Sequence, residues 1–171
     1  MRILAISICL FICMFTTATA QEIEFADEVK TYLLKNGTAN QYEYAYDGLL
    51  KMLQNQYPKA DNNKEGWVYL NENKMKSVNE MMALLVPVYQ KHFERSEIKL
   101  MTDFYKTETG QQLMNDRSQM SEAQKQELNA YYSSQLGKKV IDKQEVLSQE
   151  ISKISENWSR DLYETAVSLL K

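Results

Sequence analysis

Six residues carry the spacing of an oxygen cage for a hard cation. Asp61, Asn63, Glu65, Gly66, Val68 and Glu72 fall on positions 1, 3, 5, 6, 8 and 12 of a calcium loop, where side-chain oxygens wrap the ion, Gly makes the turn and a last Glu clamps it. Three features oppose that reading. Glu is unusual at the fifth place, Pro58 disturbs any incoming helix, and no second loop pairs with this one. The alternative is a plain polar connector, and no metal is expected.

Other chemistry is sparse. His92 is the single histidine, and both cysteines, Cys9 and Cys13, precede residue 20, so zinc would lack a ligand set. Neither a Ser-centred nucleophile turn nor a phosphate-cradling Gly loop occurs. Carboxylates are numerous but spread along helix faces, where they are solvated or paired at i,i+4. Glu22, Glu24, Asp27 and Glu28 crowd a helix start, which suits the helix dipole. No catalytic residues and no cofactor are expected, and the chain reads as a non-enzyme.

One phrase is said twice. FYKTETGQQLM (Phe104 to Met114) returns as YYSSQLGKKVI (Tyr131 to Ile141). Phe104-Tyr105 falls on Tyr131-Tyr132, Thr107 on Ser134, Gly110 on Gly137, Leu113-Met114 on Val140-Ile141 and Met120-Ser121 on Leu147-Ser148. The physical reading is a duplicated helix corner. The aromatic pair closes one helix, and Thr107 or Ser134 caps the next by accepting a backbone N–H. The Gly three residues on costs about 1 kcal/mol against Ala in a helix, so it implies close approach of a neighbouring helix. Tyr105, Gly110, Tyr132, Gly137 and His92 are the candidate binding residues, as the lining of a pocket at the corners; ordinary core packing of aromatics is the competing reading.

The elements that would position these residues are helical throughout. Phe25, Val29, Tyr32 and Leu33 recur at helical spacing and stop at Asn36-Gly37, with Asn40 placed to start the next helix. Tyr42, Tyr46, Leu49, Leu53 and Tyr57 share one face, closed by Pro58. After a loop over residues 60–66, Trp67, Leu70, Val78, Met81, Met82 and Leu85 predict a further helix. Pro87 is expected to kink or break its continuation. Ile98, Met101, Phe104 and Tyr105 make another stripe. Leu147, Ile151, Ile154, Trp158, Leu162, Ala166 and Leu169 make one long amphipathic helix. Two prolines and five glycines in 171 residues leave few breakers. The expectation is an all-α, single-domain bundle of about six or seven helices over residues 21–171.

Residues 1–20 read as a secretory signal: Arg2, an apolar run from Ile3 to Phe15, and Ala18-x-Ala20 before Gln21. The run is short of the roughly 20 residues a membrane span needs. The expected product is exported, periplasmic or secreted, without disulfides and without a stable span after cleavage. Losing Arg2 moves its net charge from −3 to −4, and with no basic stretch it is a poor nucleic-acid binder.

The stretch LLVPVYQKHFERSEIKLMTDFYKTETGQQLM, from Leu84 to Met114, carries an apolar run ending in Tyr89, then His92-Phe93, an acidic helix start at Glu97, and Phe104-Tyr105 followed by Gly110. It resembles the bacterial secreted family catalogued as domain of unknown function 2059, with a core over about residues 82–141. The family usually has Thr after the Phe and Ser-Pro before the Gly; this chain has Glu94 and Thr107-Glu108, which puts local capping in question. The resemblance implies an exported α-helical protein and no activity. The functional expectation is a non-enzymatic binding protein of the cell envelope, with an envelope protein or a second copy as partner. The alternative is a carrier of a small apolar ligand held between helices, where Met75, Met81, Met82 and Met101 offer an adaptable lining.

Overall fold

A computed structural model describes residues 21–171, and the expected signal segment, residues 1–20, lies outside them. Eight α-helices and two 3-10 turns make up the described residues, with no strand among them. Helix α1 covers residues 21–35 and ends at Gly37, which takes the left-handed conformation (φ 80°) that L side chains avoid. Helix α2, Thr38–Gln56, starts two residues before the expected Asn40, because the Asn36 carboxamide oxygen accepts the Thr38 N–H at 3.0 Å.

The connector after Pro58 is shorter than expected. Asp61–Asn63 form a 3-10 turn and α3, Lys64–Glu72, follows at once. Gly66 therefore lies in a helix, where a Cβ would collide with the backbone of Leu169. The apolar run predicted as one helix is two. Helix α4, Lys74–His92, is separated from α3 at Asn73, where the Asn71 and Asn73 amides donate to the carbonyls of Trp67 and Tyr69 at the end of α3. Asparagine amides compete for helix carbonyls in this way, and they add the eighth helix. Of the kink or break expected at Pro87, the break does not occur: α4 continues through it, with buried Leu85, Val86, Val88 and Tyr89 on either side.

Helices α5 (Arg95–Lys106), α6 (Glu108–Asp116), α7 (Glu122–Ser133) and α8 (Gln135–Leu170) complete the bundle. Its centre is α4, which packs against α2 and α8. Val78, Met81 and Leu85 meet Val29, Leu33, Tyr46, Ile98 and Met101 in the main core. Burying each such aliphatic side chain contributes about 2 kcal/mol. Helix α8, 36 residues and about 54 Å long, joins the layers. Leu147 and Trp158 enter the main core, and Ala166 and Leu170 close a second cluster with Leu53, Trp67 and Leu70. Leu170, not the expected Leu169, is the terminal buried residue.

Candidate binding site

The two repeated phrases form the same corner. Thr107 (φ −69°, ψ 161°) and Ser134 (φ −65°, ψ 163°) are the extended residues that separate α5 from α6 and α7 from α8. Each hydroxyl does two jobs. Thr107 accepts the Gly110 N–H at 3.0 Å and donates to the Phe104 carbonyl at 2.8 Å. Ser134 accepts the Gly137 N–H at 3.0 Å and donates to the Tyr131 carbonyl at 2.6 Å. The glycines are explained by the chain just before them rather than by a distant helix. A Cβ on Gly110 would lie 2.6 Å from the Tyr105 Cα, and one on Gly137 would lie 2.5 Å from the Tyr132 Cα. Thr107 is thus a working cap in place of the family's Ser. The N–H of Glu94 is held at 2.7 Å by Glu97, which supplies the capping that Glu94 was expected to weaken. The repeat ends after Ile141: Ser121 caps α7 with a reciprocal bond to Gln124, whereas its counterpart Ser148 lies inside α8.

The corners bring their aromatic pairs together. Phe104 stacks on Tyr131, while Tyr105 and Tyr132 meet these rings edge-on at 5.4 and 5.3 Å. Tyr105 then reaches Tyr32 of α1, Tyr32 reaches Tyr89 of α4, and Tyr89 stacks on Phe93. Seven rings from four parts of the chain form a continuous path. Its two ends, Phe93 and Tyr132, border one half-open cleft of about 310 Å3, whose wall also includes Tyr32, Tyr89, Met101 and the Val140–Ile151 stretch of α8.

Burial sets the state of the phenols. It pushes Tyr89 and Tyr105 up to about 12, aided by neighbouring phenol oxygens, and raises Tyr32 and Tyr131 as well. All four are neutral hydroxyls at ordinary pH. Tyr42 and Tyr46 pair with Ser155 and with the Leu70 carbonyl. Among the described residues no protein hydrogen bond satisfies the hydroxyls of Tyr89, Tyr105, Tyr131 or Tyr132, unlike those of Tyr42 and Tyr46.

Of the five predicted site residues, one is in the wall of this cleft. Tyr132 lines the cleft, Tyr105 stands behind it against Tyr32, and Gly110 and Gly137 shape the corners. His92 does not join them. Its Nε2 lies 3.1 Å from Glu150 of α8, beside Lys91 at 2.7 Å, and it ties the end of α4 to α8. Lys91, then His92, holds the Glu150 carboxyl below the usual carboxylate range. Tyr32, Tyr89 and Phe93 were missed as site residues. Tyr89 and Phe93 sit four residues apart, a local signal, but nothing near Tyr32 indicates the contact that brings it in.

The calcium spacing does not become a cage. Glu65 and Glu72 lie two turns apart on α3, about 10 Å along its axis. Asn63 is buried, donating to the Pro58 carbonyl and accepting from the Ala60 N–H. Among the described residues no three His, Cys, Asp or Glu side chains are grouped to hold a metal ion. Among them, too, no helix is long and apolar enough to cross a membrane.

The family described as uncharacterized protein conserved in bacteria, DUF2059, matches the chain twice, over residues 79–123 and 117–164. Each match contains one of the two corners, and the matched region runs past the expected limit at 141 into the last two turns of α8. No curated protein and no solved structure matches the chain significantly. The two matches together span half of the sequence, and the chain belongs to the DUF2059 family.

Proposed function

We propose that this is an exported, non-enzymatic binding protein of the bacterial cell envelope, and that it acts through the cleft between Phe93 and Tyr132. The observation that carries this reading is the wall of that cleft: aromatic rings and α8 side chains, with no carboxylate, histidine, lysine or cysteine among its described residues. Such a site holds a group and offers nothing to transform it. Its concave form and volume favour a small apolar ligand, the carrier reading.

A second reading, a partner protein, draws on a different surface. The groove between α3, α4 and α8 is bordered by Leu84 and Tyr69, each about half exposed. Native mass spectrometry of residues 21–171, purified gently from their own compartment, separates the two. An added mass of a few hundred daltons supports the carrier, and tens of kilodaltons support a protein partner or self-association. A bare chain overturns both as tight binders. N-terminal sequencing of the exported protein tests the address, with Gln21 expected as its first residue.

A further inference from the structure

The charge content of the three clefts differs. The groove between α3, α4 and α8 contains Lys76, Glu80 and Asp161, and the cleft beside the 3-10 turn contains Lys59, Asp61, Lys64 and Glu72. Among the described residues, none that lines the corner cleft is charged. Lys139 approaches the Phe93 ring to 5.6 Å but is engaged by Glu97 at 2.5 Å, so that cation is already compensated. A charged ligand entering here would lose hydration without a counter-charge, which is costly.

The cleft is nonetheless not purely apolar. Gln144 and Ser148 of α8 lie in its wall, and Tyr89 and Tyr132 bring hydroxyls that the described residues leave without a protein partner. Each can donate or accept. The faces and edges of Phe93, Tyr32, Tyr89 and Tyr132 suit a flat ring, which packs with aromatic neighbours edge-on or offset. The volume of about 310 Å3 lies at the small end of ligand pockets, which run from about 300 to 1,000 Å3.

We propose that the corner cleft is a binding site for an uncharged, single- or fused-ring small molecule bearing one or two hydroxyl, carbonyl or N–H groups. The ring lies among Phe93, Tyr89 and Tyr132, and its polar group meets the phenol oxygens, Gln144 and Ser148. This rests on the cleft being the functional site, and it adds the class of ligand.

The test titrates p-cresol and indole into residues 21–171, followed by two-dimensional NMR. Their carboxylate-bearing counterparts, 4-hydroxyphenylacetate and indole-3-acetate, serve as comparators. Saturable shifts centred on Tyr132, Leu147 and Ser148, with the carboxylates at least tenfold weaker, are the expected result. Ile141→Trp places a bulky ring at the half-exposed lip of the cleft and should weaken the neutral probes at least tenfold. Tyr44→Trp, on the exposed face of α2, should leave them unchanged. Equal binding of the carboxylates, unsaturable scattered shifts, or indifference to Ile141→Trp overturns the proposal. If the native protein carries an adduct that Ile141→Trp abolishes but neither neutral probe displaces, the ligand class is wrong while the cleft remains the functional site. If Ile141→Trp affects neither adduct nor probe, the cleft reading itself falls.

Discussion

The rings of Phe104 and Tyr131 stack with centroids 3.9 Å apart and planes inclined by 12°. These are equivalent residues of the two corners, so the repeated phrase packs against its own copy. Aromatic pairs more often sit offset or edge-on at 4.5–7 Å, which is how Tyr105 and Tyr132 sit on this pair. The close stack is thus set by the two corner backbones rather than by ring preference alone. Doubling the corner gives one shared stack on which Tyr105 and Tyr132 sit edge-on in related ways. A binding cleft needs that kind of support, because a wall residue is only as well placed as what lies behind it.

Gly110→Ala and Gly137→Ala should each destabilise the protein by about 1–3 kcal/mol, since the added carbon meets backbone and cannot be accommodated by a side-chain rotation. Helix propensity alone predicts the opposite, a gain of about 1 kcal/mol. Gly48→Ala separates the two effects: it lies within α2 with nothing near its missing Cβ, and should stabilise by about 0.5–1 kcal/mol. Urea denaturation of the three variants reads the signs directly. A gain at Gly110 or Gly137 would show that the corner is looser than described.

The cap hydroxyls predict an exchange rule. Thr107→Ala and Ser134→Ala should cost about 1 kcal/mol each, because Gly110 or Gly137 loses its N–H acceptor at the start of α6 or α8. Thr107→Ser and Ser134→Thr should cost a few tenths at most, since the two sites share one backbone geometry. Thermal unfolding of the four variants checks this, and a large loss in either swap would mean that the corners are not equivalent.

Much of this was legible locally. The stripes through Ile98 and Met101, or Leu147 and Trp158, state their buried faces in their spacing, and Thr107 and Ser134 announce caps by type and position. What was not legible was set by competition or by distance. Asn71 and Asn73 interrupt an apolar period that runs past them, so α3 and α4 read as one helix. Pro87 is a local breaker overruled by its buried neighbours. Asp61, Asn63, Glu65 and Glu72 matched a loop by spacing alone, and α3 forms across that spacing. In the site, Tyr105 and Tyr132 could be chosen from the repeat, but the ring path depends on Tyr32, 73 positions before Tyr105, and only tertiary packing supplies that contact.

Arg95 links the start of α5 to α1, which carries Tyr32. It grips Glu28 with two bonds of 2.8 and 2.9 Å and reaches Glu24 at 2.7 Å. The Arg95 bonds hold the Glu28 carboxyl below its usual range. A depressed carboxylate contributes stability above its unfolded value of 4.5 and loses it as pH falls through the lower folded value. Arg95→Gln should therefore lower stability at neutral pH and low salt. The gap to the natural protein should narrow in about 1 M salt, where screening acts within about 3 Å, and again below about pH 4.5. Paired urea curves across salt and pH check it; a gap that ignores both would mean that Arg95 acts through packing alone.

The buried phenols predict a loss of stability on the alkaline side. An unfolded tyrosine ionises near 10, and Tyr89 and Tyr105 are held up to about 12. A raised folded value contributes stability that is complete below about pH 10 and is lost as pH rises through about 12. For Tyr89, which is buried, two pH units correspond to about 3 kcal/mol. Phenolate absorbance and helical circular dichroism, followed together, should therefore change cooperatively between pH 10 and 12. Tyr89→Phe should be close to neutral at pH 7, because the lost hydroxyl has no protein partner among the described residues, and should move the alkaline midpoint upward. Complete ionisation near pH 10 with the helices intact would place these rings in water, and the aromatic wall of the cleft would not exist as described.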